Sequence, residues 1–386
     1  MYDTLIIGGG ISGIYCAMNL ENVLLLEENN YWGGRIKTHH EPQYEIGAGR
    51  FHKNHTRLWK LIKRFKLTPI PIPGRMDYRD ETYGLVPHVE SYLKTQLKKM
   101  KLHESLREMT FYEYMVQVLG KDDANHFVEA SGYNEMYYKN AYDELQSFQK
   151  DYVQGDYFVL KEGMGELCQR MVQSIQGKCV LQHKVKNIIR KDDYYVVDGY
   201  TAKRVIVTIP PSLFKQFPIL TPYDFIVSKL KNGPLLRVYA KYPTSWTDTL
   251  HTLTTKHIPR HIIPIRDGIV MIAYVEDEDV LPFLKKGKLK TDKEIRTLLH
   301  RELKRVFSDD IPEPEWVRPY LWEIGTHAWL PCHSKELLKN LPEIENVHVC
   351  GEAFSIRQAW VEGALESANS LIEIIHSTKP AMSRIP

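Results

Sequence analysis

Three glycines and one acid near the start of the chain have the types and spacing to hold a dinucleotide. Gly8, Gly10 and Gly13 read G-x-G-x-x-G, with the apolar run Leu5–Ile7 before them and the helix-forming stretch Ile14–Leu20 after them. In that setting Gly8 permits a tight turn, Gly10 admits a pyrophosphate close to the backbone, and Gly13 lets helix and strand close up. Ile11 and Ser12 would present N–H groups at the helix start, where unpaired donors and the helix dipole favour an anion. A second apolar run, Val23–Leu26, ends at Glu27 and Glu28. Glu27 falls about 20 residues beyond the first glycine, where an acid hydrogen-bonds an adenosine ribose. A glycine turn in an ordinary βα unit would not require that acid.

Two further stretches narrow the ligand. Gly33-Gly34-Arg35 opens a segment ending at Thr38, and Gly47, Ala48, Gly49 and Arg50 follow soon after. A guanidinium suits a diphosphate because it donates two parallel hydrogen bonds; a solvated loop arginine is the alternative. Near the other end come Gly351-Glu352, a short loop, then Trp360-Val361-Glu362-Gly363-Ala364 at the start of a helix expected to run to about Ile375.

On these residues the chain resembles the flavin-containing amine oxidase family, the monoamine- and polyamine-oxidase-like FAD oxidoreductases. That family's dinucleotide fold continues from the acid into Gly-Gly-Arg-x-x-Thr and closes on Gly-Glu, an aromatic and x-x-Gly-Ala. The resemblance implies an α/β chain: a discontinuous Rossmann-like FAD-binding domain joined to a mixed α+β substrate-binding domain. It places Gly33, Gly34 and Arg35 along the FAD pyrophosphate, Gly47 to Arg50 past the flavin, and a backbone group of Val185 on adenine. It places Gly351 and Glu352 at the ribityl–pyrophosphate region, and the Val361 N–H at the flavin pyrimidine edge. A helix N-terminus aimed there stabilises the negative charge that gathers at N1 and O2 on reduction.

The same resemblance supplies the candidates for chemistry. Trp360 stands where an aromatic faces the flavin in amine-oxidising members. The second wall of an aromatic slot would come from the Trp322–Pro331 segment, with His327 and Trp329 both open; either pairing can also attract a cation. Many members carry a lysine that holds a water beside flavin N5, and Arg237 falls at that position. An arginine is permanently charged and forked, so the exchange is not conservative. It could keep the water, bind a substrate carboxylate or alter oxygen reactivity; Lys241 is nearby but out of phase. Relatives that attach FAD covalently use a cysteine near Thr326, and Cys332 lies too far along, so the expectation is non-covalent FAD. The implied reaction is hydride transfer from the carbon α to an amine onto flavin N5, giving an imine and then hydrogen peroxide from O2. The cofactor carries that chemistry, and no protein base is assigned. Two other classes stay open: a desaturase or porphyrinogen-type oxidase on an apolar substrate, and a flavoprotein with no amine turnover.

Composition bounds the rest. The 386 residues are 43% hydrophobic and 26% charged with a net charge of +3, an ordinary globular mixture too mildly basic to argue for nucleic acid. Lys98–Lys101 and Lys285–Lys290 read as solvated runs. Five scattered cysteines without C-x-x-C spacing suggest neither a disulfide framework nor a zinc site, and point to a reducing, cytoplasmic setting. No run of about 18 apolar residues suggests a transmembrane helix. The chain opens into its first strand, leaving no room for a signal peptide, and its last ten residues do not suit a membrane anchor.

Along the chain, Leu58, Leu61, Ile62 and Phe65 mark an amphipathic helix ended by Pro69, Pro71 and Pro73. Residues 91 to 145 read as helical, with a capping box at Thr110 and Glu113 and a stop at Gly120. Strands are expected at Tyr157–Leu160, Cys179–Leu181, Val185–Ile189, and in a hairpin of 194–197 and 204–209 about Asp198-Gly199. Further strands are expected at Pro234–Tyr242, Gly268–Val275 and Asn346–Cys350, with a helix capped by Thr291 and Glu294. The expected division is 1–52, 155–222 and 321–377 for the FAD domain, and 53–154 and 223–320 for the substrate domain. His257 and His261 have a helical metal spacing broken by Pro259. Tyr133, Tyr137, Tyr138 and Tyr142, with Glu135, could line a pocket for a cation or pack as a helical face.

Overall fold

The computed structural model describes residues 1–151, 156–307 and 311–377. The expected domain boundary at 154/155 and the polar tail beyond Ser377 lie outside them. The chain forms two compact units: residues 1–70, 158–230 and 335 onward in one, and residues 71–157 and 231–334 in the other.

In the first unit Tyr2–Ile7 is central, parallel to Val23–Leu26 on one side and to Tyr200–Val207 on the other. Lys178–Val180 extends the parallel sheet beyond Val23–Leu26, and Val347–Val349 runs parallel beside Tyr200–Val207. Leu5, Ile6, Leu24, Leu25, Val205 and Ile206 are all fully buried, as expected of parallel strands covered on both faces. Helices Ile11–Met18, Thr56–Arg64, Met164–Gln173 and Val361–Ser377 contribute Ile14, Leu58, Leu167 and Leu365 to one core. Tyr195–Val197 turns back on Tyr200–Val207 through Asp198 and Gly199, both at positive φ, the geometry of a tight hairpin turn.

Two expectations need correction here. Val185 is not in a strand; the strand is Ile188–Arg190. The N–H groups of Lys186 and Asn187 bond to the Asp198 carboxylate at 2.9 and 3.0 Å, which takes this stretch off the ladder. The amphipathic helix Thr56–Arg64 lies in the first unit, although the sequence division put residues 53 to 154 in the second. Its Leu58, Leu61 and Ile62 stripe joins the first unit's core, each side chain contributing about 1.5–3 kcal/mol of burial.

The second unit is built on a seven-stranded sheet in the order Trp316–Trp329, Leu230–Lys241, Ile269–Glu276, His261–Arg266, Thr252–Thr254, Met76–Asp80, Gly84–Val86. The helix Asp292–Phe307 packs Ile295, Leu299 and Leu303 against Leu236, Val238 and Ile272. Its start is fixed by Thr291 and Glu294, each bonding the other's backbone N–H. Val89–Lys98, Phe111–Leu119, Lys121–Ser131 and Ala141–Asp151 form the helical insertion, with the Thr110–Glu113 capping box in place and Gly120 ending the second helix. The four tyrosines do not make one face. Tyr137 meets Tyr112 in a tilted pair with ring centres 4.5 Å apart, Tyr138 lies under the Lys231 ammonium at 3.4 Å, and Tyr142 lies under the Arg107 guanidinium at 3.5 Å. Glu135–Tyr137 is a single 3₁₀ turn, and this breaks the helical spacing.

Candidate functional site

The glycine turn is shaped by close approach. A Cβ on Gly13 would stand 2.0 Å from the Gly8 carbonyl oxygen, so strand and helix meet there backbone to backbone. Gly8 has φ +109°, outside the range of an ordinary side chain. Gly10 differs: a Cβ there would find nothing nearer than the Gly33 carbonyl at 4.0 Å, and its own φ is −70°. Gly33 pairs with Gly10 and donates its N–H to the Gly9 carbonyl at 2.8 Å, while Gly34 lies over Gly10. The first bond of the Ile11–Met18 helix runs from the Ile14 N–H to the Gly10 carbonyl. Among the described residues, the N–H groups of Ile11, Ser12 and Gly13 have no protein acceptor. Three convergent donors beside open space form an anion cradle.

Glu27 ends its strand 5% exposed. One carboxylate oxygen accepts the Gly9 N–H at 2.6 Å; the other accepts the Asn29 backbone and side-chain donors at 2.8 and 2.5 Å. These bonds aim the acid beside the glycine turn and leave the first oxygen a lone pair for a ribose hydroxyl. Glu28 points out to solvent, 3.3 Å from the Lys184 ammonium. Val185 is buried, and its backbone N–H and carbonyl make no hydrogen bond to the described residues.

The two signature segments meet. The Arg35 guanidinium lies 2.8 Å from the Glu352 carboxylate, whose second oxygen accepts the Ala359 N–H at 2.7 Å. The Ala48 N–H bonds to the Arg35 carbonyl at 2.9 Å and the Gly47 N–H to the Lys37 carbonyl at 3.1 Å, so the later glycine segment runs along the Arg35–Lys37 stretch. Gly49 lies against the Glu45 side chain, which accepts the Met164 N–H. Gly351 donates its N–H to the Ser367 hydroxyl at 3.2 Å.

At the closing helix, Trp360 sits between two groups. The His55 ring meets it edge-on at 5.0 Å, and the Arg50 guanidinium lies 5.6 Å from its ring centre. His55 is fully buried; burial first, then Arg357, His52 and Arg50, lower its pKa to about 3, so the imidazole is neutral. Among the described residues, the N–H groups of Val361, Glu362 and Gly363 have no protein acceptor, and the first helical bond runs from the Ala364 N–H to the Trp360 carbonyl. This is a second set of convergent donors, suited to the N1 and O2 edge of a flavin.

In the second unit, Arg237 and Tyr274 are cross-strand partners, with the guanidinium 5.3 Å from the ring centre. Glu276, buried beside Glu135, is the cross-strand partner of Leu235, on the same sheet face as Arg237. Desolvation, then the Glu135 charge, raise its pKa well above the usual carboxylate range. Gly325 permits a close approach, since a Cβ there would stand 2.3 Å from the Leu235 Cβ. His327 and Trp329 leave the same face of their strand, at 2% and 1% exposure, and the Trp329 carbonyl accepts the Asn140 N–H at 2.8 Å. Lys241 bonds to the Asp267 carbonyl. His257 is held by Glu81 at 2.8 Å, whereas His261 packs on Tyr133 and Tyr274.

Comparison with known proteins accounts for these geometries. A family model for flavin containing amine oxidoreductases matches residues 130–370, and one for an NAD(P)-binding Rossmann-like domain matches residues 6–65. The chain belongs to the flavin containing amine oxidoreductase family. By that membership it is an FAD-dependent oxidoreductase. The fold agrees: putrescine oxidase bound to putrescine superposes with TM-score 0.80 at 16% identity, covering 97% of this chain and 99% of that one. Cyclohexylamine oxidase from Brevibacterium oxydans superposes with TM-score 0.76 at 17% identity, again over 97% and 99%. An uncharacterized protein of Acanthamoeba polyphaga mimivirus is 40% identical over 82 residues, 18% of this chain and 16% of that relative's length. The residues present fit FAD: one donor set with open space for a pyrophosphate, an acid with spare acceptor capacity, and a second donor set for the flavin edge. No helix among the described residues is long and apolar enough to cross a membrane.

Sequence reasoning missed His55 and Glu362. The Glu362 carboxylate, fully buried, accepts the Arg57 and Leu58 N–H groups at 2.9 and 3.0 Å. Its place inside the closing motif was visible; its partners, some 300 residues earlier, were not.

Proposed function

We propose that this protein oxidises a small monoamine or polyamine, holding FAD non-covalently and using O2 as electron acceptor. When bound, FAD supplies the hydride acceptor at N5 and returns the electrons to O2 as hydrogen peroxide. The chain's part is positioning. Ile11, Ser12 and Gly13 hold the pyrophosphate with Arg35; Glu27 holds the ribose; the backbone of Val185 meets adenine. The observation that carries the reading is the pairing of Trp360 with the three unpaired N–H groups that follow it: an aromatic wall and a charge-stabilising helix end in consecutive residues. That pairing suits a neutral amine presented to the flavin, because the imine's proton need not be taken by a protein base. Putrescine oxidase and cyclohexylamine oxidase, with the same fold, support an amine as the substrate class.

Non-covalent attachment is supported by the cysteines: Cys16, Cys168 and Cys350 are enclosed in the first unit's core, and burial pushes the Cys168 thiol up to about 12. All five cysteines are free, which supports a reducing, cytoplasmic setting. Arg237 favours a second reading, a flavoprotein without amine turnover, because a permanent charge replaces the family's lysine. The flavin spectrum, followed anaerobically while monoamines, polyamines and amino acids are added in turn, separates the two. Bleaching by one class establishes amine oxidation, and a spectrum that stays oxidised across the panel leaves the second reading.

A further inference from the structure

Two helix N-termini converge on one buried carboxylate. The Thr56–Arg64 helix has no side-chain cap of its own: His55 stands at its N-cap position without making that bond. The Thr56 N–H goes to the Asn54 carbonyl and the Trp59 N–H to the His55 carbonyl, both at 3.0 Å. The remaining two donors, Arg57 and Leu58, each bond to one oxygen of Glu362. Glu362 is itself the second residue of the closing helix, between Val361 and Gly363. Gly363 is pressed against the preceding loop, where a Cβ would stand 2.0 Å from the Arg357 carbonyl, so this first turn has little freedom to move. Arg57 and Arg357 lie 4.0 and 3.7 Å from the Glu366 carboxylate, Arg50 lies over Trp360, and both helix dipoles point their positive ends here. Capping one helix would ordinarily be done by a serine, threonine or aspartate at its own N-cap. Placing a full negative charge inside the turn whose N–H groups face the flavin has an electrical consequence as well.

We propose that Glu362 sets the reduction potential of the bound flavin, its buried carboxylate opposing the positive field of the two helix ends. The inference rests on the placement of the closing helix at the flavin pyrimidine edge. Reduction puts negative charge at N1 and O2, and the helix ends, Arg50 and Arg357 stabilise it. Glu362 holds that stabilisation down, so the reduced cofactor gives up its electrons more readily. It is a positioning residue for the Thr56–Arg64 helix and, through its charge, a tuning residue for the cofactor.

The test is the midpoint potential of the FAD-loaded protein, read by dye-coupled reduction without any amine, beside the thermal midpoint of each variant. Glu362→Gln removes the charge and should raise the potential, shifting the reduction equilibrium at least ten-fold toward reduced flavin, about 30 mV for a two-electron couple. Glu362→Asp keeps the charge on a shorter stem; it should lose thermal stability like the glutamine variant yet leave the potential near that of the unmodified protein. Glu362→Ser supplies a second uncharged variant if the glutamine form does not fold. An unchanged or lowered potential in the uncharged variants overturns the proposal, as does loss of FAD from the uncharged variants alone, because removing a negative charge should not release this cofactor. Failure of the unmodified protein to bind FAD would instead sink the helix placement on which the inference stands.

Discussion

Arg35 and Glu352, 317 positions apart, form an ion pair of 2.8 Å in which the acid is almost wholly buried and the arginine about one-third exposed. The pair ties the segment after the glycine turn to the loop before the closing helix. Glu352 does this with one oxygen; with the other it holds the N–H of Ala359, a residue at φ +63°, where an alanine is strained. The acid thus fixes both the arginine expected on the pyrophosphate and the bend that presents Trp360. Glu352→Gln should weaken FAD binding by ten-fold or more, since one charge-assisted bond and its geometry are lost together. Titrating the apoprotein with FAD and following flavin fluorescence measures it.

Gly10 and Gly13 should separate folding from cofactor binding. Gly10→Ala places a methyl in open space at an unstrained φ, so the thermal midpoint of the apoprotein should change little. The methyl would occupy the cradle, and FAD affinity should fall at least ten-fold. Gly13→Ala drives a methyl into the Gly8 carbonyl and should lower stability by several kcal/mol even without FAD. Equal losses of stability in the two variants would contradict the assignment of the cradle.

Much of the first unit was legible because its signals are local. A glycine triplet, a strand ending in an acid and a capped helix each lie within a few residues, and the physics that selects them acts over that range. The Thr110–Glu113 and Thr291–Glu294 boxes were readable for the same reason. What escaped reading depends on long-range pairing. The apolar neighbours of Val185 allow a strand, while the Asp198 carboxylate, across a turn, takes the N–H groups a ladder would use. The stripe of the Thr56–Arg64 helix shows that it is buried, not against what. The tyrosines at 133, 137, 138 and 142 have helical spacing that a 3₁₀ turn discards.

Acid should destabilise the protein through His55. Its folded pKa, about 3, lies below the unfolded value of about 6.5. Between these values the unfolded chain binds a proton that the folded one refuses, so stability is full above pH 6.5 and is lost as the pH falls toward 3. His348, lowered to about 4 by burial and then by Arg204, acts in the same direction. The loss should reach a few kcal/mol, and His55→Gln should flatten the acid limb of a plot of urea stability against pH. A limb as steep in the variant as in the original would place the titration elsewhere.

Arg237→Lys tests the family's departure most directly. The side chain stands on the Tyr274 ring, and a lysine there keeps a cation while giving up the planar fork. FAD affinity and thermal stability should stay within about two-fold and a few degrees, because Arg237 belongs to the second unit's sheet and not to the nucleotide cradle. If the position governs how the reduced cofactor meets oxygen, stopped-flow reoxidation of the dithionite-reduced holoprotein should accelerate at least ten-fold in the variant. If Arg237 instead binds a substrate carboxylate, reoxidation should not change, and the affinity for carboxylate-bearing amines should fall while that for simple amines rises. Measuring both rates on one preparation distinguishes an oxygen-handling role from a substrate-selecting one, and a variant unaltered in both would remove Arg237 from the chemistry.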